Sequence, residues 1–416
     1  MQPKNLEPTK TSRGNFLKIV ILILAGEIVF LLPFIIPRVF RPTILNAIGI
    51  SNFELGTCFS FYGVVAMISY VFGGPLADKF SPRKLISLGL ILTGLGGLVL
   101  SFSPSYQTLF LLYGYWGFTT IFLLWAALIK ATRLWGGKNL QGKAFGLLDG
   151  GRGLTSAIVA SISVYIFSNL AFAEGPKNFL TIIFVSSAIT IAIGTLALFT
   201  LEDNPQAVDK RPLNKNLIAW FKILKDKKIW LQGIIIICAY VGYKTTDNIS
   251  LFSFDILGFS ENNAALIGSL GLWLRPVFAL TAGLLADKFT GNRMVQACFW
   301  FTLVPCVLLF SKIGYTSPLI IFAQFGFMLM GIYGLRGVYF ALMEETKISV
   351  VHTGAAVGLM SVIGYTPDVF MSPLMGWLID SYPGAQGHAY LFGVTGCFAL
   401  VGLLSSIFLQ KLTLKG

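Results

Sequence analysis

Three cations stand inside long apolar segments in the second half of the chain, namely Lys244, Arg275 and Arg336. At the middle of a lipid bilayer a charged side chain costs about 3 kcal/mol or more, so one that is retained there pairs with a countercharge or binds a ligand. Guanidinium groups donate two parallel hydrogen bonds to a carboxylate, phosphate or sulfonate, so these residues predict the binding of an anion. Tyr240 and Tyr365 each stand within one helical turn of a buried charge, and we expect both to line the same site.

Arg275 lies deep inside its apolar segment. It precedes Asp287 by twelve residues, which places it roughly 18 Å from the end of a helix that rises about 1.5 Å per residue. Lys244 lies about as deep, and Arg336 lies roughly 12 Å inside its own segment. Because no acid stands near Arg275 in the sequence, we expect Arg275 to hold the anionic group of a ligand, with Arg336 and then Lys244 as helpers.

The alternative to anion binding is that the buried charges neutralise one another. In that case Arg336 pairs with Asp368 and Lys244 pairs with Asp247, as structural ion pairs between or along helices. Even then, the sequence leaves Arg275 without a partner.

Glu27 and Asp368 are the candidates for coupling to protons, because each lies near the middle of an apolar segment. A lone carboxylate in a medium of low dielectric constant binds a proton more readily than it does in water. The alternative for Glu27 is a permanent ion pair with Arg152, Arg275 or Arg336, which would keep the carboxylate ionised.

The segments that carry these charges are long enough to cross a membrane. Of the 416 residues, 55% are hydrophobic and only 12% are charged, about half the charged share of a soluble protein. A hydrocarbon core of about 30 Å needs about 20 apolar residues per helix. Twelve such segments are predicted, at 16–37, 53–77, 84–102, 106–129, 143–169, 178–201, 229–256, 263–286, 294–311, 316–343, 353–379 and 388–410.

A short charged turn occurs once in each half of the chain. Residues 74–84 read GPLADKFSPRK and residues 283–293 read GLLADKFTGNR, so that Asp78 and Asp287 stand in equivalent places. Such a repeat indicates a duplicated membrane domain. The predicted fold is an all-α membrane protein with two six-helix bundles, and the predicted units are 1–201, a linker at 202–228, and 229–416.

The linker is predicted to carry an amphipathic helix on the inner leaflet of the bilayer. Its apolar residues follow helical spacing and are surrounded by lysines. They are Leu217, Trp220, Phe221 and Leu224.

The distribution of Lys and Arg predicts that both termini are cytoplasmic. Of the 31 such residues, 23 lie in the termini, the linker and the turns on the same side, whereas the opposite loops hold Arg38, Arg41, Lys177 and Lys312. The net charge of +13 is therefore a topology signal, and it does not indicate a nucleic-acid partner.

The turn at 74–84 resembles the loop 2–3 signature of the major facilitator superfamily, and the resemblance extends over the whole chain. The second glycine of that signature is replaced here by Ser81 and Pro82, which alters the turn but keeps its charges. The resemblance implies an alternating-access transporter whose cytoplasmic gate involves Gly74, Asp78, Lys79, Arg83 and Asp287. The alternative is that the turn only marks the topology.

A second resemblance is to organophosphate:phosphate antiporters and their poorly characterised bacterial relatives. It rests on Arg133, on residues 141–153 (QGKAFGLLDGGRG) and on residues 363–368 (IGYTPD). It implies a mostly anionic range of substrates and adds Arg133 and Arg152 to the gate residues, but it names no substrate.

These observations predict a secondary active transporter in the bacterial inner membrane, a monomer that moves a small, anionic organic solute by proton coupling or by exchange. Two alternatives stay open: an exporter of drug-like or siderophore-like compounds, and a transporter-like ligand sensor. Three buried cations count against the first, and short termini leave little for a signalling partner.

Other classes of protein find no support in the sequence. It has no phosphate-binding loop, and no nucleophile–base set indicates an enzyme. Two histidines are too few for a metal site, the five cysteines lie in apolar segments, and no cofactor is expected.

Overall fold

The computed structural model describes residues 13–136, 141–169, 176–202, 227–339, 342 and 362–414. The first half of the chain forms α1 (Arg13–Ile28), α2 (Ile36–Val39), α3 (Arg41–Ile48), α4 (Asn52–Lys79), α5 (Pro82–Leu100), α6 (Tyr106–Gly117), α7 (Ala126–Gly136), α8 (Gln141–Asn169) and α9 (Pro176–Thr200). The second half forms α10 (Lys227–Thr245), α11 (Ile249–Asp255), α12 (Glu261–Phe289), α13 (Gly291–Phe310), α14 (Pro318–Val338), α15 (Pro367–Ser381) and α16 (Ala385–Leu414).

The predicted all-α membrane fold of two six-helix bundles is confirmed. Eleven helical stretches of the described residues are long and apolar enough to cross a membrane. The predicted segment at 353–379 is described only from residue 362, where α15 forms its second part. The predicted amphipathic helix at 217–224 lies outside the described residues.

Three of the membrane crossings contain a short irregular turn. Residues Leu31–Ile35 form a π-turn between α1 and α2, because Pro33 has no N–H to donate, and the amide of Ile35 reaches the carbonyl of Phe30 at 3.1 Å. A second π-turn, Phe118–Trp125, joins α6 to α7, and a 3₁₀ turn, Thr246–Asn248, joins α10 to α11. Irregular backbone at such a depth is tolerated where it is buried in protein or lines a cavity.

The two halves pack closely along α4 and α15. Gly56 of α4 lies against the backbone of Ser372, and Gly376 of α15 lies against the backbone of Asn52. A side chain at either glycine would collide with that backbone, so the small residues allow the helices to approach.

Asp380, near the end of α15, accepts hydrogen bonds at the start of α4. Its carboxylate receives the amide N–H of Phe53 at 2.7 Å, the amide N–H of Asn52 at 3.3 Å and the side-chain amide of Asn52 at 3.0 Å. An acid at this position also complements the positive end of the helix dipole.

Glu261, at the start of α12, makes a similar link to α3. Its carboxylate accepts hydrogen bonds from Thr43 Oγ1 at 2.7 Å and from Asn46 Nδ2 at 2.9 Å. Both links lie on the side that the Lys and Arg distribution predicts to be periplasmic. We call this set the outer seam: Thr43, Asn46, Asn52, Phe53, Glu261 and Asp380.

Candidate functional site

A cavity of about 310 Å³ lies between the two halves. Its walls come from α1, α2, α4, α7 and α8 of the first half and from α10, α12, α14 and α15 of the second. Charged residues are concentrated in these walls, although most of the surrounding helices are apolar. They are Glu27, Arg38, Asp149, Arg152, Lys244, Arg275, Arg336 and Asp368.

One group of charges is built around Glu27, which is only 3% exposed. Its Oε1 atom lies 3.0 Å from Arg275 Nη1 and its Oε2 atom lies 3.1 Å from Arg152 Nε. Arg152 Nε also donates to the carbonyl of Gly26 at 3.0 Å, and its Nη1 atom lies 3.8 Å from Asp149. We call Glu27, Asp149, Arg152 and Arg275 the Glu27 group.

This geometry differs from the expectation for Arg275 and agrees with the alternative for Glu27. Arg275 was expected to lack an acidic partner, but Glu27 from the other half of the chain reaches it. The alternative in which Glu27 pairs with Arg152 and Arg275 is the arrangement in the structure. Arg152, expected at the gate, lines the central cavity instead.

A second group of charges is built around Asp247, in the 3₁₀ turn after α10. Asp247 Oδ1 lies 2.6 Å from Arg38 Nε and Oδ2 lies 3.2 Å from Lys244 Nζ. Lys244 Nζ also lies 3.4 Å from Asp368, which accepts a hydrogen bond from Tyr240 at 3.0 Å. We call Arg38, Lys244, Asp247 and Asp368 the Asp247 group.

The pair of Lys244 and Asp247, which belonged to the alternative to anion binding, is present, but the placement of Arg38 was wrong. The sequence assigned Arg38 to a loop, whereas it is buried in α2 and joins the two halves. A signal was available, because the apolar run continues through Val39 and Phe40 beyond the arginine.

Arg336 differs from the other cavity cations. Within the described part of the chain, no carboxylate lies within ion-pair distance of its guanidinium, so the pair with Asp368 that belonged to the alternative is not formed. The guanidinium carbon instead lies 4.0 Å from the ring centre of Tyr243 and 5.7 Å from that of Tyr240. Its Nη1 atom is buried without a hydrogen-bond partner.

Aromatic rings line the cavity beside Arg336. The rings of Tyr240 and Tyr365 lie 4.9 Å apart, and Tyr70 of the first half lies 6.0 Å from Tyr365. Both predicted tyrosines therefore face the cavity. Tyr243 was not predicted, although it stands next to Lys244 in the sequence.

Among the predicted gate residues whose side chains the structure describes, Arg152 lines this cavity, whereas Gly74, Lys79, Arg83 and Arg133 do not. Asp78 and Asp287 lie in the last turns of α4 and α12, which are equivalent positions in the two halves, and the structure describes the backbone at both. Gly74 lies in the same α4 helix, Lys79 is its exposed last residue, Arg83 follows at the start of α5, and Arg133 is exposed in α7.

Two helical bundles with a charged cavity between them define a membrane transporter. Residues 22–345 match the model of the Major Facilitator Superfamily. The chain belongs to this superfamily, as the turn at 74–84 predicted.

Comparisons with known proteins agree with this assignment. The inner membrane protein YihN of Escherichia coli (strain K12) is 28% identical over 403 residues, which cover 94% of each chain. The membrane sensor protein UhpC of Salmonella typhimurium is 21% identical over 397 residues, which cover 88% of this chain and 84% of UhpC. The predicted location in a bacterial inner membrane is confirmed.

The fold is also that of solved transporters. A bacterial homologue of the human lysosomal transporter Spinster, in an inward-facing and unoccupied conformation, aligns with a TM-score of 0.76 and 14% sequence identity. The alignment covers 98% of this chain and 99% of the homologue.

Proposed function

We propose that this secondary transporter carries a small organic anion through the central cavity by alternating access. The observation that supports the proposal is an excess of positive charge around the cavity. Five cations, Arg38, Arg152, Lys244, Arg275 and Arg336, stand against four carboxylates, Glu27, Asp149, Asp247 and Asp368. Since buried charge is costly unless it is compensated, a cavity of this kind favours an anionic occupant.

The outer seam suggests how the cycle is arranged. Its hydrogen bonds hold the two halves together on the predicted periplasmic side, as expected for an inward-facing state. In the opposite state these bonds break and contacts at the cytoplasmic turns, which include Asp78 and Arg83, take their place.

Proton coupling, if the transporter uses it, is better assigned to Asp368 than to Glu27. Glu27 contacts two guanidinium groups, so its protonation would break two ion pairs. Asp368 contacts one ammonium group and one tyrosine, so its protonation would break one. Exchange of one anion for another would need neither carboxylate to bind a proton.

A ligand screen on the purified protein tests the proposed substrate class. Carboxylates, phosphates and sulfonates are compared with neutral sugars and amines for their effect on thermal denaturation, because a ligand that binds the folded state raises its stability. We expect stabilisation by organic anions and uptake of the best of them into proteoliposomes. Stabilisation by neutral or cationic compounds alone would refute the anionic substrate and would favour the exporter alternative.

The gate is tested separately with Asp78→Asn. We expect this variant to bind the anion with unchanged affinity and to transport it at least about tenfold more slowly, because the change disturbs one state of the cycle and spares the cavity. Transport at the rate of the unmodified protein would show that the turn only marks the topology.

A second candidate function is ligand sensing, because UhpC is named a membrane sensor protein. The two functions differ in one measurement. A transporter accumulates or exchanges its anion in sealed proteoliposomes, whereas a sensor binds the anion without moving it.

A further inference from the structure

We propose that Arg336 anchors the substrate and that the cavity selects an anion with a single negative charge. This inference rests on the proposed transport of an organic anion and adds to it the residue that binds the anion and the charge that the site accepts.

The ion pairs divide the cavity charges into two neutral groups and one remaining cation. In the Glu27 group two arginines face two carboxylates. In the Asp247 group one arginine and one lysine face two aspartates. With every one of these carboxylates ionised, the single positive charge left over among the described cavity residues is that of Arg336.

The surroundings of Arg336 leave it available to a ligand. One face of the guanidinium is covered by the ring of Tyr243 at 4.0 Å, which is a favourable cation–π contact but neutralises no charge. The side chain is only partly buried and lines the cavity. Among the described residues its Nη1 atom has no hydrogen-bond partner, so an anion that meets the guanidinium from the cavity would gain charge-assisted hydrogen bonds.

Arg275 is a poorer anchor than the sequence indicated. Its Nη1 atom already contacts Glu27 at 3.0 Å. A ligand would therefore have to compete for Arg275 with a carboxylate that belongs to the protein itself. Among the described residues, no carboxylate competes with a ligand for Arg336 in this way.

The charge count also sets the kind of anion. A monoanion, such as a carboxylate or a sulfonate, neutralises Arg336 and leaves the cavity without net charge. A dianion would leave one negative charge uncompensated at mid-membrane, which is strongly disfavoured. The volume of about 310 Å³ suits a solute of roughly 10 to 20 non-hydrogen atoms.

Matched acids that differ by one carboxylate test this selectivity. The probes are gluconate with glucarate, octanoate with suberate, and 4-methylbenzoate with terephthalate, at neutral pH on the purified full-length protein. Affinity is measured by calorimetry or from the concentration dependence of thermal stabilisation. In every pair that binds, we expect the monoanion to bind at least about tenfold more tightly than its dianion.

Two variants locate the anchor with the net charge controlled. Arg336→Gln removes the free cation, and we expect a loss in monoanion affinity of at least about tenfold. The double variant Glu27→Gln/Arg275→Gln removes one acid and one cation from the cavity wall and keeps the net charge, so we expect it to lose less affinity than Arg336→Gln does. Arg336→Lys keeps the positive charge but lacks the planar guanidinium group. Its affinity for the monoanion should fall between that of the unmodified protein and that of Arg336→Gln.

The outcomes separate this inference from the proposed function. If no organic anion binds, the proposed function fails and the inference fails with it. If anions bind but Arg336→Gln is unaffected while the double variant loses binding, Arg275 is the anchor and only the inference fails. A consistent preference for the dianions would overturn the charge rule.

Discussion

The centre of the molecule and the outer seam join the same two halves with different chemistry. In the centre, Glu27 of the first half meets Arg275 of the second, and Arg38 of the first meets Asp247 of the second. All four side chains are at most 6% exposed. In the outer seam the acids Glu261 and Asp380 meet neutral donors, which are amide and hydroxyl groups near the surface.

The difference matches what each region has to do in a transport cycle. Removing one partner of a buried ion pair leaves an uncompensated charge and costs about 3 to 5 kcal/mol. A hydrogen bond to a charged group contributes only about 1.5 to 3 kcal/mol, and water can replace it at the surface. The outer seam can therefore open and close reversibly, whereas the central pairs can separate only when an anion or another side chain compensates the charges.

Glu27→Gln should have the largest effect on stability. It leaves Arg152 and Arg275 without their shared carboxylate, and we expect a loss of about 3 kcal/mol, measured by thermal denaturation in detergent. Asp149→Asn is the control, because Asp149 is largely exposed and 3.8 Å from Arg152, and it should change stability by less than about 0.5 kcal/mol. Equal stability of both variants would mean that the buried Glu27 holds its arginines no more tightly than the exposed Asp149 does.

Asp380→Asn should have an intermediate effect that is confined to the outer seam. The amides of Asn52 and Phe53 lose a charged acceptor, which weakens the link by about 1.5 kcal/mol and speeds hydrogen exchange at the start of α4 roughly tenfold.

A carboxylate at the same end provides the control for Asp380→Asn. Asp255 contacts His388 at 3.0 Å, and both residues belong to the second half. Asp255→Asn should therefore leave exchange at the start of α4 unchanged. If both variants speed exchange there equally, Asp380 does not hold the two halves together.

Glu261→Gln should have the smallest effect of the three. The glutamine keeps one acceptor oxygen for Thr43 or Asn46, so we expect a loss of about 0.5 to 1 kcal/mol. Hydrogen exchange in α3 is the measurement, and the double variant with Asp380→Asn should show both losses added together. A larger effect than that of Asp380→Asn would show that Glu261 contributes more to the outer seam than Asp380 does.

The sequence by itself determined the membrane crossings, the internal repeat, the predicted orientation and the presence of charged residues deep in the apolar segments. These follow from properties that neighbouring residues share, such as apolar length, the charged turn at Asp78 and Asp287, and the depth of Arg336 along its helix. A local sequence pattern is enough to predict these features, because the length and hydropathy of a helix do not depend on which other helices pack against it.

Only the tertiary structure decided which charges meet. Glu27 and Arg275 are separated by 248 positions, and no local pattern links them. The sequence placed Arg38 in a loop, whereas in the structure the π-turn Leu31–Ile35 leads into α2, which places Arg38 inside the protein. Among the described residues, the pairing leaves Arg336 in place of Arg275 as the cavity cation without a carboxylate, because the partner of a buried charge is set by which helices pack together across the two halves.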